Sequence, residues 1–218
     1  MRTETGARES SGELVVVLLH GFMGLPEDLA PFARSIGVAA RFVFPPGIVD
    51  LADQGLRGRA WWPIDVDARN AATRPRDLSG FVPGGLDQAH AHLDALLEEI
   101  ASSGPDDTVI VGGFSQGAML ACDLALRSPR RIDGLVMFSG ARIADTLWRP
   151  RYPGRRGLRT FASHGRGDDD LSFAAAESFQ RELSEAGWGV TWVPFDGGHE
   201  IPMIVWRSFK RWLAAARP

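Results

Sequence analysis

Ser115 stands in the pentapeptide Gly113-Phe114-Ser115-Gln116-Gly117. A β-branched apolar run, Thr108-Val109-Ile110-Val111, comes before it, and a helix-forming stretch from Ala118 to Arg127 follows. Strand, Gly-x-Ser-x-Gly, helix is the pattern of a nucleophile elbow, a sharp turn that lifts a serine hydroxyl to the top of a sheet. The serine backbone in such a turn is strained, and its flanking glycines leave room where a Cβ would strike the adjoining strand and helix. A hydroxyl is a weak nucleophile at neutral pH. It needs a base to take its proton, a third group to orient that base, and N–H donors for the oxyanion that develops. In this architecture the chain order is nucleophile, acid, histidine, which sets a demand on everything after residue 115.

Only His164 and His199 follow Ser115. His199 lies in Asp196-Gly197-Gly198-His199-Glu200, between the last expected strand and the last expected helix. That position suits the base. The acid should leave the preceding strand, where His164-Gly165-Arg166-Gly167-Asp168-Asp169-Asp170 is found. Asp168 comes first after the glycine turn and is the favoured acid, the carboxylate that would hold the histidine in one tautomer. Asp169 and Asp170 are expected to be solvated or to cap the next helix, and Asp196 is a weaker rival only three residues from His199. His164 is expected to brace the loop by hydrogen bonds. The oxyanion donors should be the backbone N–H of Gln116, at a helix N-terminus, and that of Phe22, with Met23 second, in the turn Leu19-His20-Gly21-Phe22-Met23-Gly24. His20 reads as structural.

These residues need a frame that brings distant segments to one edge. Apolar runs at Leu14–Leu19, Arg41–Phe44, Thr108–Val111, Gly134–Phe138, Leu158–Ser163 and Val190–Pro194 alternate with helical patterns at Pro26–Ile36, Leu86–Ser102, Gln116–Arg127, Ser172–Ala186 and Pro202–Ala216. Alternation of this kind predicts an α/β fold, a mostly parallel central sheet with helices on both faces. His90 and His92 fall near the start of the second helix, on different faces, and are expected at the surface. The stretch from Pro45 to Gly85 has no periodicity and is long enough to be a binding loop.

The chain has 218 residues, 44% of them hydrophobic, and a net charge of -3. A single α/β domain over residues 13–218 fits this size, with 1–12 as a loose polar tail. The small charge argues against a nucleic-acid partner. One cysteine, Cys122, excludes an internal disulfide and a cysteine-based zinc cage, and it is expected to be a core residue. No signal-peptide pattern opens the chain, and the first apolar run is too short to cross a bilayer. A cytoplasmic protein without stable membrane insertion is expected, and a homodimer is left open. No cofactor and no metal are needed for the chemistry above.

Leu19-His20-Gly21-Phe22, Arg59-Ala60-Trp61-Trp62, Gly113-Phe114-Ser115-Gln116-Gly117-Ala118, His164-Gly165-x-x-Asp168 and Gly198-His199 together resemble the phospholipase/carboxylesterase family. This is the α/β-hydrolase group that includes acyl-protein thioesterases and bacterial carboxylesterases. The resemblance runs from Leu14 to Leu213. It implies an α/β-hydrolase fold, a triad of Ser115, Asp168 and His199, and an oxyanion hole at Phe22 and Gln116. Two segments depart from the family pattern: Leu171-Ser172 stands where valine-proline is frequent, and Trp61-Trp62-Pro63-Ile64-Asp65 replaces a Trp-Phe-Asp-like segment.

The expected activity is hydrolysis of carboxylic esters, with thioesters included, through an acyl-enzyme. A lysophospholipase, acyl-protein thioesterase or acyltransferase would use the same machinery, and a binding protein on an inactive scaffold is the remote alternative. Phe22, Met23, Trp61, Trp62, Phe114, Trp148 and Ile201 fall on or beside the loops placed around Ser115. Met23 and Trp62 are expected to line the substrate pocket, while Trp61 and Trp148 pack loops onto the body. The arginines at 149, 151, 155, 156 and 159 read as a solvated loop, with a site for an acidic substrate or lipid headgroups as the bolder reading, and no large insertion suggests a lid.

Overall fold

The computed structural model describes residues 12–216; the tail expected over 1–12 lies, but for Gly12, outside the described residues. The elements in chain order are β1 (Leu14–Leu19), α1 (Pro26–Ile36), β2 (Arg41–Val43), β3 (Val49–Asp50), β4 (Arg59–Ala60), α2 (Val66–Ala71), α3 (Leu86–Ser103), β5 (Thr108–Phe114), α4 (Gln116–Arg127), β6 (Gly134–Phe138), α5 (Asp145–Trp148), β7 (Arg159–Gly165), α6 (Phe173–Glu185), β8 (Gly189–Phe195) and α7 (Met203–Ala214). The main sheet has the order β2-β1-β5-β6-β7-β8, and every neighbouring pair in it is parallel. β3 and β4 form a separate antiparallel pair.

Alternate residues of each strand serve opposite faces. Leu14, Val16 and Leu18 of β1 join a core with Leu29 and Ile36 of α1 and Val205, Phe209 and Leu213 of α7. Val15, Val17 and Leu19 join the other core, with Leu93 and Leu97 of α3, Leu120 and Leu124 of α4, and Phe179 and Leu183 of α6. Burial on both faces explains why the strands read as continuous apolar runs rather than as alternating ones. Helix starts follow ordinary rules. Pro26 opens α1, Glu27 and Asp28 sit in its first turn, and the Asp28 carboxylate accepts the Leu25 N–H at 2.8 Å.

β5 runs three residues beyond its expected end, to Phe114, because Gly112 and Gly113 pair with Leu18 and Leu19 through backbone amides alone. Side-chain propensity cannot register such a continuation. Likewise β7 ends at Gly165, not Ser163, and β8 at Phe195, whereas β2 is one residue shorter than expected. The aperiodic 45–85 stretch holds β3, β4 and α2.

One surface expectation needs correction. His90 is half-buried: its Nδ1 lies 2.7 Å from Oδ2 of Asp123, a fully buried carboxylate on α4 that also accepts the Trp148 indole N–H at 2.8 Å. A buried carboxylate requires such donors, so α3 supplies one. His92 is exposed. The arginine-rich segment is exposed at Arg149, Arg151 and Arg156, as expected of a solvated segment, while Arg155 donates to the Ser128 carbonyl at 2.8 Å, Arg159 to the Trp212 carbonyl at 3.1 Å, and Arg149 pairs with Asp145 at 3.1 Å and Glu182 at 3.2 Å.

Candidate active site

β5 delivers Ser115 directly into α4. Its backbone has φ 54 and ψ -117, a region that a non-glycine residue occupies at a cost of about 1–3 kcal/mol. The turn is held by Ser115 N–H donating to the Phe138 carbonyl at 2.9 Å and by the Ser115 carbonyl accepting from Ala118 at 3.0 Å and Met119 at 3.1 Å. Glycine is required on both sides. A Cβ on Gly113 would come 2.5 Å from the Leu19 carbonyl oxygen, and one on Gly117 would press into the carbonyl oxygens of Leu19 and His20.

β7 and β8 are neighbours, paired as far as Gly165 with Phe195. The loops beyond them stay joined, through Arg166 N–H to the Phe195 carbonyl and Gly167 N–H to the Gly197 carbonyl, both 2.9 Å. This brings Asp168 and His199 together although 31 residues separate them. His199 Nδ1 lies 2.7 Å from Asp168 Oδ2, and His199 Nε2 lies 2.8 Å from Ser115 Oγ. With the Nδ1 proton donated to the carboxylate, Nε2 is free to accept the serine proton. The Phe114 ring packs against the imidazole at 4.9 Å between centroids.

Asp168 is enclosed and saturated with donors. Oδ1 accepts the backbone N–H groups of Asp170 and Leu171, each at 2.9 Å, and Oδ2 also lies 3.1 Å from Nε2 of the buried His164. Burial alone would raise its pKa, but hydrogen bonds from His164, His199 and Leu171 outweigh that and hold the carboxyl well below its usual range. His164 therefore reaches the carboxylate itself, as well as the Leu171 carbonyl at 3.2 Å. Of the two rivals in the aspartate run, Asp169 is exposed and Asp170 is engaged by Arg69 and Arg76 at 2.7 Å each. Asp196 pairs at the surface with Arg166 at 3.6 Å.

The turn after β1 runs beside the elbow, since β1 and β5 are adjacent. A Cβ built on Gly21 would lie 3.4 Å from the Ser115 Cβ, and Phe22, Ser115 and Gln116 line one cavity. Gln116 is the first residue of α4, so its N–H has no acceptor within the helix. Its side chain has a role the sequence did not announce. Buried to 1% exposure, it accepts the Trp61 N–H and donates to the Trp62 carbonyl, both at 2.9 Å, which clamps that loop to the elbow. Trp61 returns its indole N–H to the His20 carbonyl at 2.9 Å. His20 in turn bonds the Gly21 carbonyl through Nδ1 at 2.7 Å and accepts the Gly47 N–H at Nε2, at 2.9 Å. Burial lowers its pKa, opposed by the Gly21 bond, so it stays a neutral structural residue.

One cavity holds the serine, and a second shares Phe22 with it. The first, about 280 Å³, is lined by Ser115, Gln116, Phe22, Trp62, Met119 and Leu171, with Arg69, Arg76 and Asp170 also on its wall. The second is lined by Phe22, Met23, Phe114 and Ile201. Trp62 thus borders the cavity that holds Ser115, whereas Met23 borders the other. Trp61 and Trp148 are fully buried and line neither.

A family model described as phospholipase/carboxylesterase matches residues 3–216. The chain belongs to the phospholipase/carboxylesterase family. Among relatives of this phospholipase/carboxylesterase chain are acyl-protein thioesterase 1 of Eremothecium gossypii, 31% identical over 67% of this chain and 60% of the relative, and acyl-protein thioesterase 1 of Neurospora crassa, 26% identical over 73% and 66%. The match thus spans less than two thirds of the length of these relatives. Among solved structures, esterase PE8 is 25% identical with a TM-score of 0.74 over 94% of each chain, and a carboxylesterase from Mesorhizobium loti is 23% identical with a TM-score of 0.72 over 92% and 88%. These neighbours share the α/β-hydrolase fold. Both segments that depart from the phospholipase/carboxylesterase pattern, 62–65 and Leu171, line the cavity at Ser115.

Proposed function

We propose that this chain hydrolyses carboxylic esters through an acyl-enzyme on Ser115. The observation that carries this is the unbroken hydrogen-bond line Ser115 Oγ, His199 Nε2, His199 Nδ1, Asp168 Oδ2, with spacings of 2.8 and 2.7 Å. Ser115 Oγ attacks the substrate carbonyl while His199 takes its proton. The N–H groups of Phe22 and Gln116 receive the oxyanion. His199, now charged and paired with Asp168, gives the proton to the leaving oxygen, and the alcohol departs. Water then attacks the acyl-enzyme, loses a proton to His199, and frees the acid and Ser115. The cycle uses no cofactor.

Thioesters fall within the same chemistry, since only the leaving atom changes. The two fungal relatives, both named acyl-protein thioesterase 1, support that extension. The cytoplasm is the proposed compartment; no helix among the described residues is long and apolar enough to cross a membrane, which agrees with it.

Fluorophosphonate labelling followed by ester turnover tests the proposal. The wild type should label and hydrolyse p-nitrophenyl butyrate. Ser115→Ala should lose the label, and Ser115→Ala and His199→Ala should each lose about 10⁶-fold in kcat. A folded His199→Ala protein that keeps most of its activity would overturn the assignment.

A further inference from the structure

The cavity at Ser115 is mostly apolar, yet two arginines are among the residues that line it. Arg69 and Arg76 line it beside Asp170. Arg69 Nη2 lies 2.7 Å from Asp170 Oδ2, Arg76 Nη2 lies 2.7 Å from Oδ1, and Arg74 Nη1 adds a third contact at 3.7 Å. Three cations thus share one carboxylate. The Asp170 side chain is 8% exposed, that of Arg76 15%, that of Arg69 25% and that of Arg74 34%, so solvent screens Arg74 most and the Arg76–Asp170 pair least. Burial alone would raise the Asp170 pKa, but the arginines outweigh it and hold the carboxyl below its usual value. Asp170 is therefore already a full anion and has no further charge to offer.

No other group on this wall supplies the missing anion. Asp65 also lines the cavity, but its carboxylate accepts the Ala68 N–H at 2.9 Å as the cap of α2, and the residue is exposed. The Nε atoms of Arg69 and Arg76 are buried and have no acceptor among the described residues. Arg69 also lies over the Phe22 ring, 5.8 Å from its centroid, which brings the cation beside a proposed oxyanion donor. Cations left in excess in a partly buried wall favour the approach of a further anion. An arginine fork is the side chain best shaped to receive a carboxylate.

We infer that the cavity at Ser115 is a carboxylate subsite, in which Arg69 and Arg76 hold an anionic end of the ester while its carbonyl faces Ser115. The substrate class is then a carboxylate-bearing ester, small enough for a cavity near the lower limit of about 300 Å³ for ligand pockets. That the anion belongs to a substrate rests on the esterase activity proposed above; binding of the carboxylate does not.

Two matched ester pairs test this, one for each half of the ester. The p-nitrophenyl monoester of adipic acid is compared with p-nitrophenyl hexanoate, and 4-(butyryloxy)benzoate with its methyl ester. Each protein is scored by its own ratio of kcat/KM, charged over neutral, so a partly impaired variant still reads. In one of the two pairs the wild-type ratio should exceed that of the Arg69→Gln/Arg76→Gln double variant by about tenfold or more, the scale of a hydrogen bond to a charged group. Asp170→Asn, which releases both guanidiniums, should raise the ratio. The variants keep the backbone strap of Arg76 to the acid loop, Arg76 N–H to the Asp170 carbonyl and Ser172 N–H to the Arg76 carbonyl, both 2.9 Å. Equal ratios in wild type and double variant for both pairs would overturn the inference while leaving the esterase intact. If no ester turned over, the esterase proposal would fail instead, and the subsite would be decided by thermal shift with adipate. A rise in Tm in the wild type, absent from the double variant, would support it, and no rise would refute it.

Discussion

Asp168→Asn is the substitution whose outcome follows most directly from the geometry. Asp168 Oδ1 accepts two backbone N–H groups, from Asp170 and Leu171, each at 2.9 Å. An asparagine must therefore place its carbonyl oxygen at Oδ1, because an amide NH₂ there would face two donors. Its NH₂ then takes the Oδ2 position, 2.7 Å from His199 Nδ1. The imidazole can meet that donor only as an acceptor, which moves its proton to Nε2, facing Ser115 Oγ. The base is then in the wrong tautomer. A tautomer trap of this kind costs about 10⁴-fold in kcat, or about 5 kcal/mol of transition-state stabilisation. Asp169→Asn, at an exposed residue, should stay within about twofold of the wild type, in line with surface substitutions that change free energy by about 0.5 kcal/mol or less. The assay is kcat on p-nitrophenyl butyrate, with far-UV circular dichroism to show that each variant is folded. A folded Asp168→Asn protein within tenfold of the wild type would refute the reasoning, as would equal losses in Asp168→Asn and Asp169→Asn.

Other perturbations follow from the residues packed around Ser115, His199 and the turn after β1. Gln116→Ala removes the partners of Trp61 N–H and the Trp62 carbonyl, at about 1–3 kcal/mol for each orphaned group. Calorimetry should then record a fall in Tm of at least about 4 °C, and an unchanged Tm would mean the clamp carries no stability. His20 has a lowered pKa, so the folded state disfavours its protonated form. The stability this provides is present above the ordinary imidazole pKa of about 6.5 and is lost as pH falls through the folded value. The difference in Tm between wild type and His20→Gln should thus narrow from pH 7.5 to pH 5, and a constant difference would show that His20 titrates alike in both states.

The alternation of strands and helices was legible in the residues alone, because burial on two faces writes continuous apolar runs and helical stripes into the chain. The sequence also marked Ser115, since an elbow needs glycine at 113 and 117, and it ordered the acid and histidine after it. Among three adjacent aspartates, position after the glycine turn favoured Asp168, but nothing local says that Asp170 turns inward to the arginines while Asp169 stays exposed. The same limit applies to Gln116, whose side chain clamps Trp61 and Trp62 across 55 and 54 residues, and to His90, drawn inward by Asp123 on another helix. Arg69 and Arg76 lie in a stretch with no periodicity, and nothing local says that both reach Asp170, which lies 101 residues from the first and 94 from the second. Local spacing records what a residue's own element demands of it. Which cations line the cavity, and how the carboxylates after β7 are shared between histidine and arginine, depend on loops packed against strands distant in the chain, so they emerge only on folding.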